Sequence, residues 1–471
     1  MSNALTIIIL NSSIALLMAR GFLTMTKVYG RSAEEVTHLI RKGQVTIDLV
    51  GIGNMGLPVA VAFANEGAKV VGVRTNQAIV DQINRGECPL ISEPKIPDLL
   101  PKMVKSGQLK ATTDGAKAAS EADVIIILVP LLVDAFGQED YSIIQSATQQ
   151  VGRGLEKGDI VITSTTMPPG ATEHIVKPIL EAESGLVGGK DFGLAHSPER
   201  LMVGRVFRNL YKFPKIVGGL DSASCEAAAG IYSVFGKVVR TSSLIASELV
   251  KVAEGTFRDL NIAYANLLAQ LCEPLGVDAW EVIGAANEET SEHCMIHRPS
   301  AGVGGHCIPV YPWFLINKAK ELGVNAILLR QARHLNDNMP SHTVDLTIRC
   351  LNAQKKSIKE SRIGLLGISF RANVKETRFA PSLRIRDYLN EYQPAAILAH
   401  DPYFTPEEIR NYGFTPAKFD EVLSADCIIL VTPHKEYKEK IKNLQAVQDR
   451  LVDTTNMLPK SIWKIGHIPL V

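Results

Sequence analysis

An apolar run that ends in Val50-Gly51-Ile-Gly53-Asn54-Met55-Gly56 constrains this chain more than any other feature. Glycines spaced G-x-G-x-x-G after a strand and before a helix solve one geometric problem. Gly51 permits the tight turn, Gly53 lets backbone approach a pyrophosphate, and Gly56 lets the helix pack close to the strand. The helix N-terminus then faces the phosphates, with Asn54 and Met55 in the turn. A plain structural turn is the alternative, and the flanking pattern argues against it: strand at 45–50, helix at 57–65, second strand at 69–73. The second strand ends at Arg74, where an acid would hold a ribose 2′-hydroxyl. An arginine there can accept a 2′-phosphate or stack on adenine, so these residues leave NAD and NADP both open.

The alternation continues. Apolar runs at 124–129, 160–163 and 192–195, with helical spacers, predict a parallel sheet covered by helices. Ser32 caps a short helix over 32–42, with Glu34 and Glu35 in its first turn. From 246 to 275 few breakers occur and apolar residues recur at helical spacing, which predicts one long helix. A polar, lysine-rich linker at 353–361 precedes a second, smaller α/β unit, with strands at 362–366, 395–400 and 427–431 and a helix at 382–391. The expected organisation is an extension and short helix (1–44), a dinucleotide-binding domain (45–240), a helical middle domain (241–350) and a C-terminal α/β domain (361–471).

Lys+Arg 50 against Asp+Glu 49 leaves a net charge of +1, so no basic field exists to collect nucleic acid. The seven cysteines are scattered, odd in number and lack any C-x-x-C, which fits a reducing, cytoplasmic compartment rather than a disulfide scaffold. Residues 4–18 are apolar and uncharged, yet short of the ~20 residues that a membrane span needs. The expectation is that Met25 is the real start or that the stretch before it is a dispensable extension, with a peripheral anchor as the alternative and no membrane partner for the remainder.

The most informative stretch is Pro299-Ser-Ala-Gly302-Val-Gly304-Gly305-His306-Cys307-Ile-Pro309. Small residues admit a ligand closely, and a thiol at the end of such a loop can attack an aldehyde. Metal binding is a second reading, because His293, Cys294, His297, His306 and Cys307 lie close together, although at no familiar zinc spacing. An inert buried cysteine is a third.

Together with the glycine turn, several segments in one order resemble the UDP-glucose/GDP-mannose dehydrogenase family. They are Asp123-Val-Ile-Ile-Ile-Leu-Val-Pro130, Ser164-Thr165-Thr-Met-Pro-Pro-Gly170, Ser197-Pro-Glu199-Arg200, Glu248-Leu-Val-Lys251, the Cys307 loop, and His400-Asp401-Pro402-Tyr403. The resemblance implies an α/β fold of two Rossmann-like, doubly wound domains joined by a long central helix and a helical middle domain. It implies a homodimer or higher homo-oligomer, and NAD as acceptor in two successive oxidations. It implies Cys307 as nucleophile, Lys251 as oxyanion stabiliser, Glu199 as the carboxylate that acts on water, and Thr165 as the hydroxyl that positions that water. Pro130 and Thr165 join Gly51, Gly53, Asn54, Met55, Gly56 and Arg74 at the cofactor. Glu199, Arg200, Lys251, Arg258, Gly304, Gly305, Phe370 and Arg371 are implied at the nucleotide sugar.

Two positions depart from the family pattern: Gly255 stands where an Asn is usual, and Tyr311 where an Asp is usual. Phe370-Arg371 replaces Phe-Lys, and Lys375-Glu376 replaces an acidic pair ahead of Arg378. The Ser197-Pro-Glu-Arg200 and Cys307 segments are more similar to the UDP-N-acetylhexosamine branch than to the UDP-glucose branch. That implies UDP-N-acetylmannosamine as first substrate, other UDP-N-acetylhexosamines or UDP-glucose as alternatives, and a uronate product destined for cell-surface polysaccharide. A two-electron dehydrogenase of the 6-phosphogluconate type and a non-catalytic nucleotide-sugar sensor are the competing readings.

Overall fold

The computed structural model describes residues 27–90, 93–134, 137–202, 204–288, 295–458 and 461–468. The apolar 4–18 stretch lies outside them, as do His293 and Cys294. Two compact units emerge. One runs to Leu132 and again over Glu139–Lys251; the other holds Val133–Gln138 and Val252–Val471.

The first unit opens with helix α1 (Ala33–Arg41), whose start is closed by a capping box: Ser32 accepts from the Glu35 N–H, and Glu35 reaches back to the Ser32 N–H. Its sheet comprises β1 (Thr46–Val50), β2 (Lys69–Val73), β3 (Leu109–Thr112), β4 (Val124–Ile127), β5 (Ile160–Thr163), β6 (Gly193–His196), β7 (Lys215–Gly219) and β8 (Val238–Arg240). The spatial order is β8-β7-β6-β5-β4-β1-β2-β3. Every pairing is parallel except β6 with β7, where Ala195 faces Gly219. The strands β3-β2-β1-β4-β5-β6 thus form a doubly wound sheet, and β7 and β8 extend it. Near-continuous Val/Ile in β4 and β5 follows from burial on both faces. Helix α2 (Gly56–Asn65) is buried almost throughout and covers one face, and α3 (Ser222–Tyr232) lies further along the chain.

Helix α4 (Leu244–Leu275) has 32 residues and carries the chain from the first unit into the second. The second unit continues with α5 (Tyr311–Glu321), α6 (Ile327–Ala353) and α7 (Pro381–Glu391). Its sheet has β9 (Arg362–Leu366), β10 (Ala396–His400), β11 (Thr415–Pro416), β12 (Cys427–Leu430), β13 (Leu451–Asp453) and β14 (Trp463–Lys464). The order is β11-β10-β9-β12-β13-β14, parallel throughout. In each sheet the strand order reverses beside the first strand, which opens a crevice at the carboxyl ends.

Two differences from the sequence reading have physical causes. Helix α6, 27 residues long, went unread because Pro340 interrupts its middle and much of its surface is polar. The linker at 353–361 contains a short 3-10 turn over Ile358–Glu360.

Candidate active site

In the first unit the site residues gather at the carboxyl ends of β1, β4, β5 and β6. Gly51 has φ +107°, and a Cβ there would lie 2.4 Å from the Leu128 carbonyl. A Cβ on Gly56 would lie 2.2 Å from the Gly51 carbonyl oxygen. Gly53 differs: nothing lies within 4 Å of its would-be side chain. The two outer glycines therefore serve packing, and the middle one faces open space at the start of α2, as a pyrophosphate cradle requires. Asn54 is exposed and Met55 half-buried in the same turn. Arg74 is half-buried, and its Nη1 donates to the Ile52 carbonyl at 3.0 Å. One N–H is thereby spent on holding the guanidinium against the turn, which explains how an arginine fits at the end of β2.

Pro130 is exposed just beyond β4. Thr165, beyond β5, donates its hydroxyl to the Val129 carbonyl at 2.6 Å. Its proton is thus committed, and its oxygen is left to accept. The loop after Thr165 is held by Glu248 of α4, whose buried carboxylate accepts from the N–H groups of Gly170 (2.5 Å) and Thr172 (2.8 Å). Burial raises the Glu248 carboxyl and these N–H groups counter it without cancelling the rise. At the end of β6, burial pushes the His196 imidazole down to about 3, so it is neutral, and its Nδ1 pairs with the Thr163 hydroxyl at 2.9 Å. Three residues on, Glu199 is buried against Lys215 of β7, Oε2 to Nζ 3.3 Å. Arg200 is half-buried beside it, and Lys251 is half-buried on α4.

In the second unit the cysteine loop sits on the turn after β9. A Cβ on Gly304 would lie 2.5 Å from Phe370 Cβ, and one on Gly305 would lie 2.9 Å from the Phe370 ring. Gly305 has φ +96° and donates its N–H to the Arg378 carbonyl at 2.8 Å. His306 contacts Glu376. Only glycines let the loop lie this flat on an aromatic ring, and Cys307 is left exposed at its end. The Cys307 carbonyl accepts from the N–H groups of Val310 and Tyr311, both at 3.0 Å, which ties the thiol residue to the first turn of α5. The Arg371 guanidinium lies 5.9 Å from the centre of the Phe370 ring. Upstream, Asp259 of α4 pairs with Arg333 of α6 at 2.5 Å and accepts from Asn336 at 2.8 Å; Asn336 in turn accepts from Asn266, which holds the Ser300 N–H. This buried network fixes the start of the loop. Arg258, implied at the sugar, is exposed on α4, and His297 is lowered by burial and by the Arg258 charge.

Gly255 and Tyr311 turn out to be one feature. A Cβ on Gly255 would lie 2.3 Å from Tyr311 Cδ2. The Tyr311 ring, 7% exposed, fills the volume that a larger residue at 255 would need.

Sequence reasoning missed two groups. Lys215 was unread, although a lysine opening the apolar run Lys215-Ile-Val-Gly is itself a signal. His434 was also unread: its Nδ1 accepts from the Asn373 N–H at 3.0 Å, so Nε2 carries the proton and donates to Asp401 at 3.1 Å. Burial would raise the Asp401 carboxyl, but His434 and the N–H groups of Tyr403 and Ser369 outweigh it and hold it below its ordinary value. Asp401 also accepts from Ile368, so it organises the turn that carries Phe370 and Arg371. Lys375 is spent on Glu408, and the Arg378 guanidinium lies 4.5 Å from the centre of the Phe379 ring. Among the described residues no three His, Cys, Asp or Glu side chains converge as metal ligands.

Comparison with known proteins finds three sequence profiles in order along the chain. The NAD binding domain of the UDP-glucose/GDP-mannose dehydrogenase family matches 45–236, its central domain 245–338 and its UDP binding domain 364–460. A UDP-N-acetyl-D-mannosamine dehydrogenase of Methanococcus maripaludis is 34% identical over 431 residues, 89% of this chain and 94% of the relative. An NDP-N-acetyl-D-galactosaminuronic acid dehydrogenase of Ralstonia nicotianae is 34% identical over 432 residues, 90% of this chain and 97% of the relative. The solved structure of a UDP-D-ManNAc dehydrogenase from Pyrococcus horikoshii superposes with TM-score 0.80 at 32% identity, covering 89% of this chain and 99% of that one.

Proposed function

This chain belongs to the UDP-glucose/GDP-mannose dehydrogenase family, and from that premise we propose that it oxidises the sugar C6 alcohol of a UDP-N-acetylhexosamine, UDP-N-acetyl-D-mannosamine first, to the uronate. The observation that carries the proposal is the exposed Cys307 thiol at the end of a glycine loop of the family's central domain, seated on Phe370, which with Arg371 belongs to the family's UDP binding domain. NAD supplies the electron acceptor for both oxidations, and the open space at Gly53 fits it. Cys307 captures the aldehyde as a thiohemiacetal, whose oxidation leaves a thioester. Lys251 stabilises the oxyanion, Glu199 takes a proton from the hydrolytic water, and the committed Thr165 hydroxyl leaves an oxygen that receives that water. Arg371 and Arg258 supply positive charge to the diphosphate and the sugar, and a guanidinium can grip phosphate with two N–H groups.

The apolar stripe on α4 supports a homodimer or higher homo-oligomer. The six described cysteines are free, and a catalytic thiol needs a reducing compartment; this supports a cytoplasmic location. No helix among the described residues is long and apolar enough to cross a membrane.

The test is absorbance of reduced nicotinamide with purified protein, NAD or NADP, and a panel of UDP- and GDP-sugars. The expected outcome is turnover with a UDP-N-acetylhexosamine and two reduced cofactors per uronate. A ratio of one with free aldehyde means a two-electron dehydrogenase. Sugar-nucleotide binding with no turnover means a sensor.

A further inference from the structure

Lys215 opens β7 and is 3% exposed, and its Nζ lies 3.3 Å from Glu199 Oε2. The other oxygen, Glu199 Oε1, is buried with no hydrogen-bond partner among the described residues. A buried carboxylate with one oxygen uncommitted is costly, so this arrangement is not explained by stability. Two neutral polar groups lie beside it. The Glu199 N–H donates to the Ser164 carbonyl at 3.2 Å, and the Ser164 hydroxyl pairs with the Tyr232 phenol of α3 at 2.7 Å. Burial, and then the Glu199 charge, hold the Tyr232 phenol well above its ordinary value, so it stays protonated. Lys215 thus compensates the Glu199 charge from the Oε2 side.

We propose that Lys215 is a positioning residue for hydrolysis: it pins Oε2 of Glu199 and leaves Oε1 as the acceptor for water. The inference rests on Glu199 being the group that acts on the hydrolytic water. In that step the water oxygen bonds to the acyl carbon and one water proton passes to Oε1. The C–S bond breaks, Cys307 leaves as thiolate, and the second proton is lost as the uronic acid ionises. No oxidation state changes, so the step needs no further co-reactant. Lys215 touches none of the reacting atoms; it acts through Glu199.

The experiment is a double-mutant cycle on the full chain: K215M, K215R, E199Q and K215M/E199Q, run with NAD and the UDP-N-acetylhexosamine that the unaltered protein turns over. The readouts are kcat, KM and the mass of the Cys307 peptide after acid quench. K215M should lower kcat about 100-fold, the scale of a general-base contribution. KM should fall with it, because enzyme accumulates as the Cys307 acyl adduct. K215R should recover to within about 10-fold, and adding K215M to E199Q should cost less than about 2-fold more, as non-additivity within one unit requires. Turnover of K215M near that of the unaltered protein overturns the proposal. So does a loss without adduct that adds in full to E199Q, which is a structural role alone. If K215M fails to fold, K215R and the comparison of K215M/E199Q with E199Q decide, since the double variant strands no buried charge. An unaltered protein that gives neither reduced NAD nor a Cys307 adduct fails the dehydrogenase reading itself and takes this proposal with it.

Discussion

Asp48 lies in the middle of β1, fully buried, opposite Val71 of β2 and Ile125 of β4, and neither carboxyl oxygen has a partner among the described residues. Burial raises its carboxyl well above the ordinary value. The folded state therefore holds a proton that the unfolded chain releases above about pH 4. Unfolding releases that proton, so stability falls as pH rises from the unfolded pKa towards the folded one. Asp48→Val should raise stability by about 1–3 kcal/mol at pH 7.5 and by less at pH 4.5, measured by denaturant melts. An equal gain at both pH values would mean that Asp48 is not buried and protonated. Gly255 poses the opposite problem. Helix propensity favours alanine there by about 1 kcal/mol, but overlap with the Tyr311 ring costs about 1–3 kcal/mol. Because Tyr311 also donates its N–H to Cys307, Gly255→Ala should lower both the melting temperature and kcat/KM, the latter by about 10-fold or more. Gly255→Ala/Tyr311→Ala should recover part of the melting temperature. A neutral Gly255→Ala would dispose of the coupling.

At the scale of elements, α4 presents two faces. Val252, Ala263, Ala265 and Ala269 face the core, whereas Tyr264, Leu267, Leu271 and Leu275 are 51, 43, 52 and 70% exposed. Their spacing places them on one helical face, an apolar stripe that a second copy would cover. Under the proposed homo-oligomer, Leu267→Glu/Leu271→Glu should give a smaller species by light scattering, with the first unit still able to bind NAD. A monomeric unaltered protein would show that the stripe is not used in this way. The long helix was legible before the structure because its periodicity is sustained: the expected 246–275 became Leu244–Leu275. Strand edges shifted by a residue or two, as at Gly193–His196, because ladder pairing rather than hydropathy ends a strand.

For the whole molecule, the thiol and the glycine turn belong to different units. Cys307→Ala should abolish uronate formation while NAD binding, read by fluorescence quenching, remains. Loss of both would mean that the loop is structural for the whole chain. Two doubly wound sheets were expected from the family resemblance, beside the alternation of strands and helices in both parts of the chain, and both sheets carry the strand order 3-2-1-4-5-6. The sequence by itself determined the α/β class and the first glycine turn, because these depend on local periodicity and on a short motif whose spacing is its geometry; it nominated the candidate residues through motifs shared with a family. Only the tertiary structure decided which groups those residues meet. Lys215 finds Glu199 sixteen positions away, His434 finds Asp401 thirty-three away, and Tyr311 covers Gly255. Such contacts depend on distances through space that the packing of whole elements sets, and no local pattern along the chain encodes them.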